Sequence, residues 1–219
     1  MLASSAMTCQ GDRAAVEGSR RGPIGTLTLN RHKSLNALDL DMVNTLYGIL
    51  MEWKGVSGPR AVVLTAGQDG RQLQKSKAFC AGGDVKQVVQ RGIQGDTEYG
   101  MRFFVREYFL DYLISGYDVP YMSIMDGIVF GGGVGVSIHG TFQIATENSV
   151  FAMPECAIGL FPDVGGSYFL SRLQGGLGLY LGLTGARIKV CSCCFIADTL
   201  RLRVVYKYIC IFIIYRVSI

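Results

Sequence analysis

Three consecutive glycines, Gly131-Gly132-Gly133, stand between two apolar runs. The run before them, Tyr121–Met125, reads as a buried strand, and the small-residue run after them, Val134–Ile138, reads as a helix. Glycine lets the backbone switch sharply from strand to helix, because it has no Cβ to clash at positive φ. The first N–H groups of such a helix have no partner inside it, so they suit an anion or a developing oxyanion. The device occurs twice: Phe79-Cys80-Ala81-Gly82-Gly83-Asp84 leads into a second short helix expected over Val85–Gln90. Downstream, two carboxylates, Glu155 and Asp163, lie in a segment bounded by Pro154 and Pro162.

The remaining elements agree with a layered α/β chain. Ile24–Asn30 alternates as a strand, and Ala61–Thr65 is a short β-branched run. Asp39 is placed to cap a helix whose apolar face is Val43, Leu46, Tyr47 and Leu50. A long helix is expected over Tyr99–Ser115, with Val105, Tyr108, Phe109, Tyr112 and Leu113 on its apolar side and Arg102, Arg106, Glu107 and Asp111 interrupting it. Phe142–Ala145 and Val150–Met153 read as strands, and Tyr168–Leu173 and Leu177–Leu183 as helices. Gly67–Lys77 is polar and reads as a surface loop. Single strands alternating with helices argue for an α/β fold with much parallel sheet.

Composition narrows the classes of function. With 219 residues and 49% apolar content the chain is long enough for one domain with a real core. Net charge is +4, and most of the excess sits beyond residue 190 in Arg201, Arg203, Lys207 and Arg216, opposed by Asp198. The rest is near neutral, which gives no reason to expect a nucleic acid partner. Tyr208–Tyr215 is strongly apolar but too short to span a bilayer, so it reads as a buried strand. Of seven cysteines, four fall in the last 29 residues and the others are scattered, so a reducing compartment is expected. Cys191-Ser192-Cys193-Cys194 lacks the paired spacing and nearby His of a zinc site.

Several motifs are absent. There is no G-x-G-x-x-G, no P-loop and no G-x-S-x-G elbow. Only His32 and His139 are available to a His-based triad, and His139, at the end of an apolar helix, reads as structural. Two glycine turns and two carboxylates remain. One N–H from each turn, converging on a carbonyl oxygen, would stabilise the charge that forms when the acyl carbon is attacked; one such donor is worth about 3–4 kcal/mol of barrier. Glycine also serves ordinary turns, so the turns alone leave both readings open. Asp163 after Pro162 also fits an N-cap, Glu107 also fits a solvated helix charge, and a buried Glu155 within an apolar run needs a reason to exist.

The stretches LNRHKSLNAL, AFCAGGD, IVFGGGVGVSIHG and FAMPECAIGLFPDVGG, in order across about residues 22–189, resemble the crotonase (enoyl-CoA hydratase/isomerase) superfamily. The last of them resembles most the family's hydrolases of short 3-hydroxyacyl-CoA thioesters. The resemblance implies a superhelix of repeated β-β-α units and hydrolysis of a short-chain hydroxyacyl-CoA of the kind formed in valine breakdown. It implies no cofactor and no metal, since CoA is part of the substrate. By position, Gly83 and Gly132 would supply the oxyanion-hole amides. Glu155 would act as base on water or attack the thioester itself. Asp163 would hold the substrate hydroxyl and help proton transfer, and Glu107 would contact substrate.

Hydratases of the family carry a second glutamate two residues after the three glycines. Here that position is Gly135, and an acid, Asp163, stands where they have glycine. Water addition across a double bond uses an acid/base pair, so this arrangement favours hydrolysis. Two alternatives stay open: a hydratase or isomerase of the same fold, and a catalytically inactive truncated isoform. The resembling hydrolases continue into C-terminal helices that close the CoA site and carry oligomer contacts, and nothing after Lys189 resembles them. The domain reading is therefore a flexible lead or transit remnant over 1–21, a hydrolase domain over 22–189 and an atypical apolar tail over 190–219. A mitochondrial address is expected, with peroxisome or cytosol as alternatives, and a homo-oligomer weakened by the missing helices.

Overall fold

The computed structural model describes residues 14–67 and 77–189, and the backbone of 202–206 and 209–212. The chain opens with a hairpin: β1 (Val16–Arg21) pairs antiparallel with β2 (Ile24–Leu29), and the turn uses Gly22 at φ +57. Residues 16–21, expected within a flexible lead, are thus sheet. Their pairing to β2 supplies the hydrogen bonds that a free segment would have to leave to water. Alternation along β2 puts Leu27 and Leu29 into the core.

Asp39 caps α1 (Leu40–Trp53) as expected, accepting from the Met42 N–H at 2.9 Å. Met42, Val43, Leu46 and Leu50 are buried on its inner face. Next come β3 (Ala61–Ala66), β4 (Ala78–Cys80), α2 (Val85–Ile93) and α3 (Tyr99–Ser115). Most of the polar loop expected over 67–77 lies outside the described residues. Then follow β5 (Tyr121–Met125), β6 (Ile128–Phe130), α4 (Gly132–Ile138), β7 (Phe142–Thr146) and β8 (Val150–Ala152). The last described elements are α5 (Gly166–Leu170), α6 (Leu177–Thr184), β9 (Ile188–Lys189), β10 (Leu202–Tyr206) and β11 (Ile209–Phe212). Among the described residues no helix is long and apolar enough to cross a membrane.

The strands form two sheets, ordered β1-β2-β3-β5-β7-β11-β10 and β4-β6-β8-β9. β2, β3, β5 and β7 are mutually parallel, as are β4, β6 and β8. Each repeat places one strand in the large sheet, the next in the small sheet, and then helix. That is the winding of β3-β4-α2-α3, β5-β6-α4 and β7-β8-α5-α6. The expected β-β-α superhelix is therefore present. Strand β11, the described part of the apolar run near the end, joins the large sheet antiparallel to β7.

α3 is helical where expected but turned about its axis. Phe103, Glu107, Leu110, Asp111 and Ile114 are buried, while Val105, Tyr108, Phe109 and Tyr112 are exposed. Of the expected apolar side only Leu113 is buried. This helix is apolar on two sides, so hydrophobic spacing alone does not choose between them. Packing against α1 and α4 chooses the face with Phe103, Leu110 and Ile114, and carries both acids inward.

Candidate active site

Both glycine turns arrive at one place. The β4–α2 turn is fastened to the segment before α1: Ala81 N–H bonds Leu35 O at 3.0 Å, Leu38 N–H bonds Gly82 O at 2.8 Å and Asp84 N–H bonds Leu38 O at 2.7 Å. Gly82 sits at φ +101, which only glycine adopts without strain. Asp84 caps α2 through the Gln87 N–H. Its carboxylate also meets Arg31 at 2.7 Å, and the same guanidinium lies 3.5 Å from Asp39 and donates to Ala37 O.

The β6–α4 turn lies against it. A side-chain carbon on Gly133 would stand 2.5 Å from Cys80 O, and one on Gly132 would stand 3.3 Å from Gly83 N. The amides of Gly83 and Gly132 are therefore neighbours. Among the described residues neither N–H has a backbone acceptor. Two unpartnered N–H groups on adjacent turns are the elements of an oxyanion hole.

Four carboxyls lie close enough to one another, beside these turns, to feel each other's charge. Glu155, in the 3₁₀ turn after Pro154, is 6% exposed and its Oε1 lies 2.5 Å from where a Gly131 Cβ would be. Its Oε2 is buried without a partner. Burial pushes its pKa up to about 7; its own backbone N–H opposes that rise and Asp163 adds to it. Asp163 accepts a 2.7 Å hydrogen bond from the Tyr108 hydroxyl. Burial raises its pKa and that hydrogen bond opposes the rise. It does not cap the following helix with its side chain, contrary to one expectation: α5 has Gly165 as N-cap, and Asp163 contributes only its carbonyl, to Gly166 N–H at 2.6 Å.

Glu107 reaches over from α3 to touch Gly132, and is no solvated charge. One turn on, Asp111 meets Gly135: a Cβ there would lie 2.9 Å from Asp111 Oδ2 and 2.7 Å from Val164 Cβ. So two acids four residues apart on α3 lie over two glycines three apart on α4, and the missing side chains leave room for the acids to approach. Burial holds both pKa values well above the carboxylate range, with Asp111 and Asp163 adding for Glu107 and Asp163 adding for Asp111. Sequence reasoning missed Asp111 and Tyr108. The signal was present, since Phe103, Glu107, Leu110, Asp111 and Ile114 share one helical stripe.

The arrangement can polarise a carbonyl and place an acid/base group beside it. Residues 24–200 match the enoyl-CoA hydratase/isomerase family. The chain belongs to that family. Among its relatives, a mitochondrial 3-hydroxyisobutyryl-CoA hydrolase of Xenopus tropicalis is 51% identical over 172 residues, which are 78% of this chain and 42% of the relative. A probable 3-hydroxyisobutyryl-CoA hydrolase of Arabidopsis thaliana is 49% identical over 77% of this chain and 42% of its own length. Among solved family folds, a carnitinyl-CoA dehydratase of Mycobacterium thermoresistibile superposes with TM-score 0.76 at 41% identity, covering 84% of this chain and 52% of that one. This family member thus spans less than half the length of the curated relatives it matches.

Proposed function

We propose that this chain is a thioester hydrolase of short 3-hydroxyacyl-CoA, with 3-hydroxyisobutyryl-CoA as its substrate, working in mitochondrial valine breakdown. The relatives near 50% identity carry that name, and several of them carry that compartment. The observation that carries the reading is that the two turns bearing the unpartnered amides of Gly83 and Gly132 lie together, with the carboxyl of Glu155 against Gly131 of the same turn.

The thioester carbonyl oxygen accepts from both amides. Glu155, as carboxylate, takes a proton from water while the water oxygen bonds to the acyl carbon; attack by Glu155 itself would pass through a mixed anhydride instead. Collapse breaks the C–S bond, and the proton held by Glu155 leaves with the CoA thiolate. Asp163, steadied by Tyr108, holds the substrate hydroxyl, and Glu107 contacts the acyl group beside Gly132.

Thiol release from 3-hydroxyisobutyryl-CoA tests this. The rate should rise with pH through about 7, as Glu155 loses its proton. Glu155→Gln should fold and lose roughly a hundredfold or more in turnover. Unchanged thiol release by that variant would remove Glu155 from the mechanism. Rapid consumption of crotonyl-CoA without thiol release would replace hydrolysis by hydration, the activity for which several structural neighbours are named.

A further inference from the structure

Val164 is the residue the proposed mechanism leaves unexplained. It sits at φ +42, in the left-handed region, although it is β-branched. Such a residue is a genuine outlier, with strain on the order of 1–3 kcal/mol, and persists only where its surroundings impose it. Those surroundings are specific. Its side chain is 3% exposed and fills the space that the missing Cβ of Gly135 leaves open. Its carbonyl receives a 2.8 Å hydrogen bond from His139 Nε2. A carbonyl only accepts, so His139 carries its proton on Nε2. Burial lowers the pKa of the imidazole, which keeps it neutral. The next residue, Gly165, lies directly over that ring: a Cβ on it would stand 2.5 Å from His139 Cε1.

His139 is the C-cap of α4, the helix whose first residue is Gly132. The same short helix therefore bears an oxyanion amide at one end and grips the turn after Asp163 at the other. Tyr108 donates its hydroxyl to the Asp163 carboxylate. We propose that His139 is a positioning residue: it locks the strained Asp163–Gly165 turn onto α4, and so sets the distance between the Asp163 carboxylate and the Gly132 amide. The assignment rests on the thioesterase reading above.

The test is steady-state thiol release by five variants, with wild type measured first. His139→Leu keeps bulk and removes the donor; it should lower kcat/KM roughly 10–100-fold, with a loss in kcat and not in KM alone, because misplacing a group that orients the substrate costs rate. His139→Gln restores an N–H donor and should recover most of that loss. Combining His139→Leu with Asp163→Asn should cost no more than Asp163→Asn alone, since both act through one carboxylate. Val164→Gly lets the backbone hold φ +42 without strain, so added to His139→Leu it should recover part of the lost kcat, and this double variant decides the matter if His139→Leu alone does not fold. Wild-type kcat in His139→Leu, or a loss that Val164→Gly leaves unrelieved, would overturn the assignment, as would full additivity with Asp163→Asn, while leaving the thioesterase reading intact. No thiol release by the wild-type chain would overturn that reading, and this assignment with it.

Discussion

Asp111 carries two carboxyl oxygens that are buried and unpartnered, next to Glu107 and within reach of the charge on Asp163. An ionised carboxylate there would be costly, so the folded chain holds it neutral. Its pKa is raised on folding, above the unfolded value of about 3.9. The stability linked to it is therefore complete below about pH 4 and is lost as pH rises through the folded value. Asp111→Asn keeps the shape without the ionisation. Its melting temperature should fall less steeply between pH 4 and 8 than that of wild type, and parallel curves would show that Asp111 is not neutral in the folded chain. At the oxyanion turn, Gly132→Ala would drive a methyl against Glu107 and Gly83 N. Thiol release should drop about 100-fold or more, as for loss of one oxyanion donor.

Arg31 ties together elements that are distant in sequence. It pairs with the N-cap acids of both α1 and α2 and with the carbonyl of Ala37. The turn carrying Gly83 lies directly before the α2 cap, so its position depends on this clamp. Arg31→Met should lower stability by about 1–3 kcal/mol, the scale of hydrogen bonds to charged groups, read as a lower urea midpoint. An unchanged midpoint would show that the Leu38 backbone bonds hold the turn without it. At the same scale, α1 was largely legible in the sequence: Asp39 is the cap and Val43, Leu46 and Leu50 face inward as expected, while Tyr47 is half-buried and Met42 joins the buried face. α3 was legible in extent and misread in rotation, because Val105, Phe109 and Tyr112 form as good an apolar stripe as the buried one.

Over the whole molecule that second stripe has a consequence. Phe109 is 55% exposed and Tyr112 78%, and Phe161, at the edge of the site, is 67% exposed. Large exposed apolar groups of this kind favour association. Sedimentation velocity should show the sedimentation coefficient rising with concentration, and Phe109→Ser with Tyr112→Ser should flatten that rise. A concentration-independent monomer for the wild-type chain would refute it.

Local order was readable in the residues themselves: glycines at the two strand-to-helix turns, the Asp39 cap before α1, the alternation along β2, and the ordered motifs that carry Gly83, Gly132, Glu155 and Asp163. These depend on neighbours a few positions apart, which a linear pattern records. Which face of α3 turns inward, how Asp111 and Tyr108 come to lie beside Glu107 and Asp163, and that a valine at φ +42 meets His139 were decided only by the coiling of three β-β-α turns. Those choices depend on which surfaces meet across the fold, and close packing against α4 leaves room for one answer.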